Sequence, residues 1–107
     1  MSILKIITYT TSTGKEPFTA WLSDLDTKER AIILARITRV RLGNFGDCKP
    51  IKDGEGILEL RIDYGPGYRV YLGRKGIMLV VLLIGGDKGS QERDIAKAKV
   101  YWRTFKE

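Results

Sequence analysis

Histidine is absent from this chain, and cysteine occurs once, at Cys48. Without histidine there is no Ser-His-Asp or Cys-His catalytic pair and no imidazole metal ligand. Any acid–base chemistry falls to Asp, Glu, Lys, Tyr or Arg. A single cysteine cannot close an internal disulfide, which fits a reducing cytoplasm, and the expected location is cytoplasmic. A lone thiol with no histidine to activate it is a poor nucleophile, so Cys48 reads as an incidental loop residue. Long apolar runs are also missing. The longest, Ile77 to Ile84, is too short to span a bilayer, and no membrane partner is expected. No basic stretch followed by a long apolar one opens the chain, so no signal peptide is expected. Repeats and low-complexity segments are lacking, and so is the phosphate-loop pattern G-x-x-x-x-G-K-[ST].

What remains is a basic, foldable chain. Its 107 residues predict one domain, 1–107. Hydrophobic residues at 43% and charged ones at 30% describe a globular protein rather than a disordered one. The net charge of +6 favours an acidic partner: RNA, DNA, an acidic protein or anionic lipid.

Residues 3–9 are rich in β-branched side chains and predict a first strand. Thr13 and Glu16 have capping-box spacing, with Pro17 in the first helical turn. Phe18, Trp21, Leu22 and Leu25 then form one apolar helical stripe. Asp26 and Glu29 repeat the capping spacing ahead of a helix from about Thr27 to Leu42, ended by Gly43-Asn44. Ile33, Leu34, Ile37 and Val40 are its expected buried face. Lys28, Arg36, Arg39 and Arg41 lie away from or beside that face; Arg36 and Arg39 are candidate RNA contacts, although a charged outer helix face is the commoner meaning of such a pattern. Two helices joined by so short a turn predict an antiparallel hairpin. Residues 44–56 read as a loop, whose Lys49 and Lys52 are candidate phosphate contacts.

The most informative stretch is Glu59 to Tyr71, read as a β-hairpin. Leu58, Leu60 and Ile62 alternate with Glu59, Arg61 and Asp63. Gly65-Pro66-Gly67 predicts a tight turn, with proline second and the positive φ on the glycine after it. Tyr68, Val70 and Leu72 return on one face, Arg69 and Tyr71 on the other. Two arginines and a phenol on an exposed sheet face suit a phosphate backbone and a stacked base. The same pattern suits a solvated face with cross-strand ion pairs, such as Glu59 with Arg69. Gly76 to Ile84 reads as a central strand buried on both faces. Gly85 to Ser90 reads as a glycine loop leading into a helix capped by Ser90, able to hold an anion or simply to connect. Ile95, Ala98, Trp102 and Phe105 give that helix a narrow apolar seam. Arg93, Lys97, Lys99, Arg103 and Lys106 occupy its other sides. The class is α+β, order β-α-α-β-β-β-α, with a mainly antiparallel sheet, an N-terminal helical hairpin and a C-terminal helix covering the apolar face.

Leu42-Gly43-Asn44-Phe45-Gly46-Asp47, Glu59-Leu60-Arg61, Tyr64 through Tyr71, Leu82 through Lys88, and Asp94-Ile95 occur in this order. With them the chain resembles the RelE/ParE superfamily of toxins from toxin–antitoxin systems, nearest the HigB-like addiction module killer proteins. The resemblance implies a RelE-like fold and a small toxin neutralised by a cognate antitoxin, itself a small helix-turn-helix protein. It also implies ribosome-dependent cleavage of mRNA by 2′-OH attack, with no metal or other cofactor. Arg69 matches the core arginine, Arg61 the arginine of the preceding strand, and Lys88 a basic position after the fourth. The strand lysines are replaced by Ile57 and Glu59, and the C-terminal tyrosine is unmatched, with Asp94 near its place. Glu59 is then a candidate base, and Lys88 or Tyr71 a candidate acid; Tyr68 is a candidate RNA contact. Two alternatives stay open: a ParE-like inhibitor that acts by binding DNA gyrase, and an inactive antitoxin-binding member.

Overall fold

The computed structural model describes residues 3–105. Strand alternation decides its layering. Five strands form one sheet in the order β1-β5-β4-β3-β2. They are β1 (Lys5–Thr8), β2 (Cys48–Pro50), β3 (Ile57–Ile62), β4 (Tyr68–Lys75) and β5 (Leu79–Asp87). Only β1 runs parallel to its neighbour, β5; the other pairs are antiparallel. The short edge strand β2 lies in the segment expected to be loop. Its Cys-Lys-Pro sequence carries no strand signal, and pairing with β3 alone defines it.

Helices α1 (Pro17–Ser23) and α2 (Thr27–Arg41) precede β2, and α3 (Gln91–Thr104) follows a 3₁₀ turn at Lys88–Ser90. One face of the sheet presents Leu60, Ile62, Tyr68, Val70, Leu72, Val80 and Leu82 to Phe18 of α1 and to Ile33, Ile37 and Val40 of α2. The other face presents Ile57, Tyr71, Val81 and Leu83 to Ala98 of α3, with Ile95, Tyr101 and Trp102 at the margin. Both faces are thus covered. The reading of the Arg69–Tyr71 face as open to solvent is corrected: α3 lies across it, and Tyr71 is fully buried. A narrow seam on α3 shows that the helix packs without showing on which face.

Strand glycines let the helices come down. A Cβ on Gly85 would lie 2.1 Å from the Trp21 ring of α1, and one on Gly73 would lie 2.4 Å from Trp102 of α3. Gly85 and Gly86 therefore belong to β5, not to a loop. That strand begins at Leu79, three residues after the expected start at Gly76, because residues 76–78 form the turn, with Gly76 at φ 65°. β5 is otherwise central and buried on both faces, as expected.

Local signals hold in part. Asp26 and Glu29 form the capping box of α2. Gly43 at φ 91° and Asn44 close it by donating to the carbonyls of Val40 and Arg39, a Schellman ending. Thr13 does not cap α1. Glu16 holds that position, and its carboxylate accepts from Thr8 and Thr19 instead. The hairpin turn bonds Gly67 N–H to the Tyr64 carbonyl, so Pro66 sits third rather than second; Gly67 takes the expected positive φ, at 84°, and Gly65 before the proline takes one as well, at 57°. Leu34 is exposed rather than buried, and Arg36 is buried rather than outward. Lys106 lies outside the described residues. No described helix is long and apolar enough to cross a membrane.

Substituting Gly85→Ala should cost about 1–3 kcal/mol, the usual penalty for overfilling a packed core. Denaturant unfolding measures it; a variant as stable as the parent would mean Trp21 is not seated on Gly85.

Candidate functional site

Register brings the candidates into two rows on the α3 side of the sheet. Lys49, Glu59 and Tyr71 stand opposite one another on β2, β3 and β4. Arg61, Arg69 and Gly86 form the next row on β3, β4 and β5. Paired residues share a sheet face, so Lys49 joins this surface through a strand its sequence did not announce.

Glu59 is the centre. Its Oε1 accepts from Arg61 Nε at 3.0 Å, and its Oε2 from Tyr71 OH at 3.2 Å and Gln91 Nε2 at 2.6 Å. The Arg61 side chain is 33% exposed and that of Glu59 only 4%. Burial pushes the Glu59 carboxyl upward, but the hydrogen bonds from Arg61, Gln91 and Tyr71 and the nearby charge of Arg69 outweigh it. The net shift is downward, so Glu59 is ionised at neutral pH. Tyr71 is shifted upward, chiefly by burial and then by the Glu59 charge. The ion pair runs from Glu59 to Arg61, not across the strands to Arg69.

Arg69 is the unsatisfied member. Its Nε is buried and has no hydrogen-bond partner among the described residues. Leaving a charged donor unpaired is costly, and such groups mark ligand sites or strained ones. Opposite it, Gly86 leaves the space that Asp94 fills: a Cβ there would lie 1.8 Å from the Asp94 carboxylate. Ser90 donates to that carboxylate at 2.5 Å. Lys88 is exposed and tied to the hairpin turn, its N–H donating to the Gly67 carbonyl at 2.9 Å.

Other candidates lie elsewhere. Arg36 donates to the carbonyls of Phe45, Asp47 and Arg61, pinning α2 to the following loop and to β3. Burial, then Arg39, lowers its pKa. Its guanidinium is committed to the fold and does not face RNA. Tyr68 is on the opposite sheet face, edge-on to Trp21, and donates to Glu29, which raises its pKa to about 12. It offers no ring to a base. Arg39 is exposed on α2, and Lys52 at the turn after β2. The glycine loop is no open anion site: Asp87 Oδ1 already accepts from the N–H groups of Gly89 and Ser90. Gln91 was missed, because a glutamine opening a helix carries no pattern of its own.

Residues 20–103 match the family described as "Phage derived protein Gp49-like (DUF891)". The chain belongs to this family. Its members are phage-derived, RelE/ParE-like toxins of toxin–antitoxin systems. A Haemophilus influenzae relative, named only as an uncharacterized protein, is 54% identical over 84 residues, 78% of this chain and 83% of its own. In this Gp49-like chain the match spans the whole hairpin and α3 up to residue 103, and so every residue around Glu59.

The lowered Glu59 pKa makes a pH prediction. A carboxyl whose folded value lies below its unfolded value, about 4.3, stabilises fully above that pH and loses the contribution as pH falls through the folded value. Unfolding midpoints measured from neutral pH downward should therefore fall less steeply below about pH 4.5 in Glu59→Gln than in the parent. Parallel curves would remove Glu59 as an acid-sensitive group.

Proposed function

We propose that this chain is the toxin of a type II toxin–antitoxin pair, with a RelE-like topology, and a ribosome-dependent endoribonuclease acting on mRNA. The observation that carries the reading is the buried Arg69 Nε, which has no hydrogen-bond partner among the described residues, on the strand position paired with Arg61 and with its charge acting on the ionised Glu59. Cleavage by 2′-OH attack concentrates negative charge on a pentacoordinate phosphorane. Fixed cations in a poorly hydrated place stabilise that charge with little reorganisation. Arg69 and Arg61 supply them, and Lys49 and Lys52 steer the strand as point charges.

The proton steps fall to the neighbours. Glu59 accepts the 2′-OH proton once Gln91 releases Oε2, and the O2′–P bond forms. The P–O5′ bond then breaks, and Lys88 protonates the departing oxygen. The products are a 2′,3′-cyclic phosphate and a 5′-hydroxyl. A carboxylate held below its usual pKa is a weak base, so most of the acceleration rests on the arginines. Tyr71, buried with a raised pKa, orients Glu59 rather than meeting substrate. The partners are mRNA, the ribosome and a cognate antitoxin.

The burial of Glu59 and Tyr71 favours a second reading, in which the surface only binds, as in ParE-like block of DNA gyrase. Mapping mRNA 5′ ends after induction, beside a supercoiling assay, separates the two. On the nuclease reading, Arg69→Ala folds normally and loses about two orders of magnitude in cleavage, as for removal of one transition-state charge contact. An Arg69→Ala variant that cleaves as fast as the parent at equal expression would refute the assignment.

A further inference from the structure

The solvent side of α2 carries an ordered apolar row. Ala31, Ala35, Thr38 and Leu42 are all exposed and succeed one another at steps of four, three and four, with Leu34 alongside. At about 100° per residue the row lies opposite Ile33 and Val40, which are fully buried against the sheet. Leu34 and Leu42 are 47% and 52% exposed. Thr38 turns its hydroxyl inward, donating to the Leu34 carbonyl at 3.0 Å. The row runs on at the helix end. Leu4 N–H donates to the Arg41 carbonyl and Lys5 N–H to the Met78 carbonyl, bringing Ile3 and the β4–β5 turn alongside. Ile3, Ile77 and Met78 are also exposed. Single exposed leucines need no explanation, but a row with coiled-coil spacing does.

Charge decides what fits the row. By helical period, Arg41 borders it on one side and Arg39 on the other, both exposed. Arg30 and Lys28 stand beside them, but Arg30 donates to the carbonyls of Ser23 and Leu25, and Lys28 lies over the Tyr64 ring. Glu29, the only acid in the helix, points toward the core, where it accepts from Tyr68. A second copy of this face would set cations against cations. Nucleic acid would satisfy the borders and leave Leu34 and Leu42 wet. A helix with an apolar seam between acidic flanks satisfies both. We propose that the outer face of α2 docks an acidic amphipathic helix of a partner protein. On the toxin reading that partner is the antitoxin; the docking chemistry stands without it. Since α2 covers the sheet face opposite Glu59, Arg61 and Arg69, the bound helix leaves the candidate site open.

The test uses the full chain and two synthetic helical peptides with leucines at four-three spacing, one flanked by glutamates and one by lysines. Binding is read by fluorescence anisotropy, independently of any cleavage. The glutamate peptide should bind and the lysine peptide should not. Leu34→Asp with Leu42→Asp should weaken binding by about tenfold or more, as for loss of central apolar anchors. Arg69→Ala should leave it unchanged. If the aspartate pair disturbs the circular dichroism, Leu34→Ala with Leu42→Ala should give the same direction. Equal binding of both peptides, no binding of either, or indifference to the leucine variants would overturn the proposal. So would a dimer of the chain that the leucine substitutions disperse, or an RNA oligonucleotide whose affinity those substitutions abolish.

Discussion

The carboxylate of Glu59 is the point on which the second face of the sheet depends. Removing a carboxylate from water costs several kcal/mol unless hydrogen bonds and charge replace the solvent. Here the replacements come from three elements: Arg61 on the same strand, Tyr71 on β4 and Gln91 on the first turn of α3. The helix cannot slide along the sheet without leaving Oε2 short of a donor. Gly73 under Trp102 and Gly86 under Asp94 allow that close approach, and a side chain at either would lift the helix. Trp102 and Arg103 then fasten the far end of α3 to Glu55, and Tyr9 meets Thr104 at 2.6 Å. One buried charge thus fixes where a whole helix lies.

The same carboxylate sorts the arginines. Arg61 is partly neutralised by its pairing, and Arg36 is consumed by three carbonyls. Arg69 is excluded from both arrangements. Glu59 has its donors already, and Asp94 takes the hydroxyl of Ser90. A net charge of +6 therefore overstates what is available in some places and hides it in others. Arg69 keeps a buried Nε donor to spare among the described residues, which a solvated arginine would not do.

Much of this was legible beforehand. Period-two alternation sorted Leu60, Ile62, Val70 and Leu72 from Glu59, Arg61, Arg69 and Tyr71, because a pleated strand has no other way to place them. Asp26 with Glu29, and Gly43 with Asn44, marked the ends of α2 because each supplies partners for orphan backbone groups. What escaped was whatever depends on a third dimension. Arg36 reads as a surface residue until the loop carbonyls around Gly46 close on it, where a Cβ would stand 3.0 Å from its guanidinium. Leu34 reads as core because one turn of helix cannot tell which of two apolar faces is inward. Glu59 was singled out, but not its burial, since the helix that buries it comes from thirty residues further on.

That two-sidedness of α2 bears on how the molecule is used. An ordinary surface helix is apolar on one side, and its amphipathic pattern is strong. α2 is apolar on two, with Ile33 and Val40 toward the sheet and Leu34 and Leu42 toward solvent. The second side adds nothing to the fold and carries a solubility cost, because exposed leucines invite association. The basic residues along its borders limit that cost by repelling copies of the same face. They would equally select an acidic helix over an apolar one. The sheet lies between this face and Arg69, so a ligand of one surface need not touch the other. In such an arrangement the outer face of α2 and the Glu59–Arg69 side of the sheet can change independently, joined through the packed sheet.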